Sequence, residues 1–165
     1  MPSTIENLKV AFAGESQANR KYLAFAKKAE REGYPQIARL FRAAADAETI
    51  HALGHLANMG GVGSTLENLK EAIAGETYEF TEMYPPMVEQ AIAEQHKAKT
   101  MLDWANRVEK VHANLFQQAL AALQSGQDLS QMDVYICPVC GDLEFGVPEK
   151  CPVCGTPGAK YEKVK

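Results

Sequence analysis

The chain has 165 residues, 46% of them hydrophobic, and a net charge of −4 at neutral pH. That length suits one ordinary domain with a small appendage, and the acidic balance, without a basic patch interleaved with aromatics, argues against a nucleic-acid binder. No uncharged apolar run approaches membrane-spanning length and the N-terminal MPSTIENLK lacks a signal-peptide hydrophobic segment, so a cytoplasmic protein with no membrane partner is expected.

The first helix is expected to start at Ser3, where Ser-x-x-Glu forms a capping box with Glu6, and to run to about Glu32. Gly33-Tyr34-Pro35 ends it, and Pro35 suits the first turn of a second helix that runs to about Asn58 and stops at Gly60-Gly61. A third helix starts at Ser64 with its own capping box to Glu67. A kink is expected at Tyr84-Pro85-Pro86, where two backbone donors are missing. The break before the fourth helix falls near Glu94 to Lys97, and that helix runs to about Gln124. After a polar linker, Gln127 to Asp133, the sequence changes to alternating residues, prolines, glycines and cysteines.

The helical part is a duplication. Ser3 to Glu15 (STIENLKVAFAGE) and Ser64 to Glu76 (STLENLKEAIAGE) share ten of thirteen residues at an offset of 61, and the same offset carries Glu48 onto Glu109 and His51 onto His112. Each copy therefore holds a single glutamate, Glu15 or Glu76, and 33 residues later a Glu-x-x-His. Glu15 lies on an apolar stripe with Leu8, Ala11, Phe12, Ala18, Tyr22 and Phe25, which should face a core. Glu48 sits likewise among Ile37, Leu40, Phe41, Ala44, Ala45 and Ala52, and Glu109 among Leu102, Ala105, Ala113, Phe116 and Leu120. A carboxylate on such a face is costly unless something compensates it. One Glu from each of two helices plus Glu-x-x-His from each of the other two is the ligand set of di-iron carboxylate bundles. Solvated surface pairing would account for one Glu-x-x-His, but not for both pairs together with both single carboxylates at equal spacing.

Glu79 breaks the symmetry: it stands three residues after Glu76, where the first copy has Ala18. If it points inward, it is a surplus hard ligand that could exchange with His51, the carboxylate suiting ferric and the imidazole ferrous iron. If not, it belongs to a polar surface segment, TYEFTEMY. His55 and His96 are left outside the site, and Met83, Met87, Met101 and Trp104 are read as packing residues.

The connection between the second and third helices is short. In a di-iron bundle these helices run parallel, so their link must span a helix of about 36 Å, whereas Met59 to Gly63 reaches only about 20 Å. Either the helix ends fray, or the first helix pair of one chain packs against the second pair of a partner. The exchanged homodimer is the expectation, with Gly60-Gly61-Val62-Gly63 permitting the crossing.

All four cysteines fall in two Cys-x-x-Cys-Gly knuckles, Cys137 to Gly141 and Cys151 to Gly155. Four thiolates at that spacing bind one tetrahedral ion, and about 33 residues cannot fold without it. Spacing alone leaves a structural zinc ribbon and a one-electron iron centre equally open.

Taken together, AGES at Ala13, AETIH at Ala47, AGETYEFTEMYP at Ala74, EKVH at Glu109, YICPVCG at Tyr135 and CPVCG at Cys151 resemble the rubrerythrins over essentially the whole chain. The resemblance implies an all-α ferritin-like four-helix bundle over 1–126, followed by a rubredoxin-like four-cysteine module over 133–165. It implies that Glu48 and Glu109 bridge two irons, that Glu15 binds the first, and that Glu76 and His112 bind the second. The remaining position on the first iron goes to Glu79 when oxidised and His51 when reduced. Tyr22 and Tyr84 match tyrosines that hydrogen-bond the carboxylates, or are half-buried core aromatics. Cys137, Cys140, Cys151 and Cys154 would hold a third iron, with zinc as the substitute. The implied activity is reduction of hydrogen peroxide to water in protection against oxidative stress, with electrons from a reduced rubredoxin-type donor or an NAD(P)H-linked reductase. The rivals are a ferroxidase acting with dioxygen, a di-iron oxygenase, for which four short helices leave little substrate room, and a zinc-ribbon interaction protein on a helical scaffold.

Overall fold

The structure, a computed structural model, describes residues 1–165. The chain divides into two compact units, Met1–Gly63 and Ser64–Lys165.

The first unit is a helical hairpin of α1 (Thr4–Arg31) and α2 (Pro35–Asn58). Ser3 caps α1 through the expected box: its side chain accepts from the Glu6 amide while the Glu6 carboxylate accepts from the Ser3 amide. Gly33, at φ 84°, makes the left-handed turn, and Pro35 opens α2. Glu30 meets Arg42, Tyr22 meets Phe41 and Asn19 meets Ala45, so the two helices run antiparallel. Their seam is built of alanines: Ala26, Ala29, Ala38, Ala45 and Ala52 are buried. A seam of small side chains leaves the larger apolar residues outside. Leu40 is 70% and Ile50 72% exposed, and Phe25 and Ile37 are exposed as well. Phe25, Ile37 and Leu40 thus do not face a core within this unit, because two helices bury one seam only and the rest of each stripe needs another layer.

The second unit opens with a long rod of three segments, α3 (Thr65–Tyr78), a π-helix (Glu79–Met83) and α4 (Tyr84–Ala93), against which α5 (Lys99–Gln124) packs. Ser64 and Glu67 repeat the capping box. The disturbance expected at Tyr84-Pro85-Pro86 takes the form of the π-helix just before it. The Tyr84 amide donates to the Glu79 carbonyl, five residues back, and Pro85 and Pro86 have no N–H with which to continue the ordinary ladder.

This π-helix absorbs one residue. The left-handed turn residue stands eighteen positions after Glu15 in the first copy (Gly33) but nineteen after Glu76 in the second (Gln95, φ 51°). The tyrosines show the same offset, since Tyr22 follows Glu15 by seven and Tyr84 follows Glu76 by eight. The break between rods covers Glu94 to Ala98, one residue beyond expectation. Met87 and Met101, expected as core filler, are exposed.

The same unit ends in a small antiparallel sheet, β1 (Tyr135–Ile136), β2 (Leu143–Glu144) and β3 (Glu162–Lys163), in the order β2-β1-β3. Tyr135 pairs with Glu144 on one side and Lys163 on the other. The four cysteines, Val153, Tyr161, Tyr135 and two residues of α5, Trp104 and Val108, form one apolar cluster. No helix is long and apolar enough to cross a membrane.

Asn19 is the polar pin of the first unit. Its buried amide donates to the Ala45 carbonyl at 2.7 Å and to Thr49 Oγ1 at 2.8 Å, and its oxygen accepts from Arg20 Nε at 2.9 Å. Asn19→Ala removes these bonds and is expected to cost about 1–2 kcal/mol, read as a lower urea midpoint of the metal-free protein with an unchanged slope; an unaltered midpoint would show that the pin carries no stability.

Candidate metal centres

In the first unit, Glu15 from α1 and Glu48 and His51 from α2 bring one ligand atom each to within 4.8 Å of one another. His51 Nδ1 lies 3.3 Å from Glu48 Oε2, as the three-residue spacing on one helix face requires. The Glu15 carboxyl is held above its usual pKa, first by the hydrogen bond it shares with Glu48 and then by burial, whereas the same bond lowers Glu48. Two carboxylates at this separation favour sharing a proton, and Glu15 is the one whose affinity for it is raised. His55 is close enough to weaken that effect but is not one of the three clustered ligands. Tyr22 stands in an aromatic group, with ring centroids 6.3 Å from Phe25 and 6.2 Å from Phe41.

In the second unit, Glu76 from α3 and Glu109 and His112 from α5 form the matching cluster, again within 4.8 Å. His112 Nδ1 is 2.8 Å from Glu109 Oε2 and 3.8 Å from Glu76 Oε2. Burial, then the hydrogen bond and charge of Glu109, push Glu76 up to about 7. Glu79, the first residue of the π-helix, is half-buried near the cluster without being one of its three clustered ligands; burial and the Glu109 charge raise its pKa and His112 lowers it. Burial, followed by Glu109, Glu79 and Glu76, likewise raises the Tyr84 phenol. His96 lies elsewhere, its Nδ1 accepting from the Ala98 amide in the turn before α5.

Both clusters have the chemistry of cation sites. Each gathers two carboxylates and an imidazole on partly buried helix faces, with no Lys or Arg among the groups that shift their carboxyls. The histidine geometry is specific. Nε2 of His112 is 3.2 Å from the Gly141 carbonyl, which can only accept, so Nε2 carries a proton. The hydrogen bond to Glu109 is the largest effect raising its pKa, so a second proton, when present, is held at Nδ1 by that carboxylate. A metal at Nδ1 would displace that proton and leave the Nε2–H bond intact, which is the usual arrangement of a ligating histidine.

The cysteine site passes a geometric test. All four cysteines are free; Cys137 Sγ lies 3.6 Å from Cys154 Sγ, and Cys140 Sγ 3.5 Å from Cys151 Sγ. Four sulfurs about 2.3 Å from one tetrahedral ion stand about 3.8 Å apart. Gly141 and Gly155 take φ of 90° and 78°, and each donates its amide to the first cysteine of its knuckle, Cys137 or Cys151. The Cys154 amide points at Cys151 Sγ at 3.4 Å. Burial raises the Cys154 thiol, but bonds from the Thr156 hydroxyl and amide and from neighbouring thiols outweigh it and bring it to about 6. Burial dominates at Cys140, whose thiol is pushed far up. Behind Cys151, the fully buried Asp142 accepts from Tyr161 Oη at 2.7 Å.

Sequence reasoning did not find the side chains that tie this module to α5. Arg107 donates to the Val153 and Pro152 carbonyls, Trp104 and Val108 cover the cysteines, and His112 reaches Gly141. The four-residue spacing of Trp104, Val108 and His112 was the one available signal, a second face on a helix already assigned to a core.

The family model for rubrerythrin matches residues 6–120. The chain belongs to the rubrerythrin family. It is 39% identical over 176 residues to rubrerythrin-2 of Clostridium acetobutylicum, covering 96% of this chain and 95% of that protein. To nigerythrin of Nitratidesulfovibrio vulgaris it is 38% identical over 171 residues, covering 94% and 83%. Among solved structures, fully reduced, all-ferrous nigerythrin shares 35% identity over 99% of this chain and 88% of that one, with a TM-score of 0.59. The fold is thus that of a rubrerythrin, ferritin-like helices followed by a rubredoxin-like module. The carboxylate–histidine clusters and the four cysteines are the ligand sets of an iron-binding family.

The raised carboxyl of Glu76 predicts a change of sign on metal loading. A carboxyl raised in the folded state, as Glu76 is from 4.5 to about 7, favours folding while protonated and loses that advantage as pH rises through about 7. His112, also raised, acts in the same direction. Metal-free protein should therefore lose melting temperature between about pH 5 and pH 8, whereas loaded protein, which needs both groups deprotonated, should gain it. Parallel melting curves in the two forms test this; the same slope in both would remove the carboxyls from the metal sites.

Proposed function

We propose that this rubrerythrin reduces hydrogen peroxide to water at a di-iron site and that its four-cysteine iron passes electrons back to that site. The observation that carries the reading is the double engagement of His112, with Nδ1 among Glu76 and Glu109 and Nε2–H on the carbonyl that follows Cys140. A ferroxidase could use the same carboxylates. It has no use for an imidazole tied to a four-cysteine turn, nor for the surplus carboxylate of Glu79.

When bound, paired ferrous ions supply at once the two electrons that O–O cleavage requires, and a four-thiolate iron supplies electrons singly with little rearrangement. Each peroxide takes two electrons and two protons and gives two waters. Glu48 and Glu109 would bridge the pair, Glu15 would bind one ion, and Glu76 and His112 the other. Glu79 would replace His51 on oxidation, and a carboxylate where the first copy has Ala18, at the start of the π-helix and within reach of the Glu109 and His112 charges, supports that role. Tyr84, whose phenol is raised by burial and by three carboxylates, keeps its proton and would offer it in a hydrogen bond to one of them; Tyr22 is proposed for the same duty toward Glu15 or Glu48.

The complete site is proposed to form between chains, the α1–α2 hairpin of one copy lying against the second unit of another. The exposed Leu40, Ile50 and Leu53 on α2 support this, since a two-helix unit leaves them without a layer, as does the short Met59–Gly63 link. A reduced rubredoxin-type protein or an NAD(P)H-linked reductase would supply electrons. The free thiols suit a reducing compartment such as the cytoplasm.

Anaerobically reduced, iron-loaded protein should be oxidised by one equivalent of peroxide about a hundredfold or more faster than by one equivalent of dioxygen, and Glu79→Ala should slow the peroxide reaction about tenfold to a hundredfold. Stopped-flow absorbance gives both rates. Preference for dioxygen would identify a ferroxidase.

A further inference from the structure

The four-cysteine module is attached to α5 by contacts that metal binding does not need. Arg107 donates from Nη1 to the Val153 carbonyl and from Nη2 to the Pro152 carbonyl, both at 2.8 Å. Those carbonyls lie between Cys151 and Cys154, inside the second knuckle. Two N–H bonds from one planar fork fix orientation as well as distance. Asp103 Oδ2, one turn earlier on α5 and 4.0 Å from Nη1, draws the guanidinium toward its place.

The first knuckle meets α5 differently. Its Gly141 carbonyl takes a single bond from His112 Nε2 at 3.2 Å. Trp104 and Val108 pack against the cysteine cluster, but apolar packing is non-directional and does not by itself fix where the module sits along the helix. The directional contacts are therefore two: the bond through which His112 joins the module, and the Arg107 fork on the opposite knuckle.

We propose that Arg107 is a positioning residue for electron return: its grip on the Pro152 and Val153 carbonyls sets the module in the register on α5 that keeps the Gly141 carbonyl on His112 Nε2. The inference rests on the relay reading above and adds that a side chain that ligates nothing fixes its closest approach. With iron held by the four cysteines, each transfer would take it from ferrous to ferric and send one electron toward the site holding His112. Two transfers and two protons balance one peroxide reduced to two waters, and the external reductant restores the module.

Arg107→Ala and Arg107→Lys in the full-length, iron-loaded protein test this by two readouts, amide hydrogen exchange in the two knuckles and stopped-flow oxidation of the fully reduced protein by limiting peroxide. In Arg107→Ala, exchange at Val153 to Gly155 and Cys137 to Gly141 should quicken with the four-thiolate absorption unchanged. The phase in which the di-iron site reacts should stay within about twofold of wild type, while reoxidation of the four-thiolate iron slows about tenfold or more. Lys, which keeps the charge but loses the fork, should fall between. If Arg107→Ala loses its module iron, the Lys variant carries the same comparison. Wild-type reoxidation of the four-thiolate iron in the variant, or unchanged amide exchange, overturns the proposal. If peroxide leaves that iron reduced in the wild-type protein itself, the relay reading falls first and the role of Arg107 with it.

Discussion

Like-charged carboxylates brought together on the apolar faces of helices set the terms for the rest of this molecule. Glu15 against Glu48, and Glu76 against Glu109, are arrangements that water alone does not stabilise, and in each pair one carboxyl, Glu15 or Glu76, is held above its usual pKa. The helical scaffold supplies what such a pair needs to stay in place. Capping boxes at Ser3 and Ser64 fix where α1 and α3 begin, an alanine seam brings α1 and α2 close, and the buried Asn19 amide pins their register. None of these features binds anything. Each sets the phase of a helix so that a glutamate and a histidine arrive together.

The departures from the duplication mark where the two copies are used differently. The second copy has Glu79 where the first has Ala18, a further ligand candidate beside the second cluster, and a π-helix at Glu79–Met83, ahead of the missing donors of Pro85 and Pro86, takes up one extra residue before Tyr84. His112 alone of the two repeat histidines has a partner for its far nitrogen, because only the second copy is followed by a module that reaches back to α5. His51 is more exposed and bonds to Glu48 at a longer distance. One imidazole is therefore fixed and the other freer, which matches the roles proposed for them, a permanent ligand and an exchangeable one.

Much of this was legible in the residues. The capping boxes, the proline and glycine boundaries, both Glu-x-x-His pairs and the cysteine knuckles each follow from a local rule, and the helix ends fall within a residue or two of where those rules put them. What stayed hidden depends on contacts between distant segments. The Arg107 fork, the Gly141 carbonyl and the Asn19 pin join residues 26 to 46 positions apart and carry no motif. The π-helix did leave a trace, the seven-residue spacing from Glu15 to Tyr22 against eight from Glu76 to Tyr84, but it becomes readable only once both tyrosines are known to serve equivalent places. The exposure of Leu40 and Phe25 was missed for another reason. Periodicity shows that a face is apolar, not which molecule covers it.

What the carboxylates hold decides whether this molecule is a redox enzyme. Anomalous diffraction at the iron and zinc edges, from crystals of protein isolated with its native metals, assigns every position in one experiment. Iron between Cys137, Cys140, Cys151 and Cys154, and a pair of irons ligated by Glu15, Glu48, Glu76 and Glu109, is the predicted result. Zinc in the cysteine site with no metal beside any of the four glutamates would contradict it, leaving a helical scaffold with a structural ribbon in place of a redox enzyme.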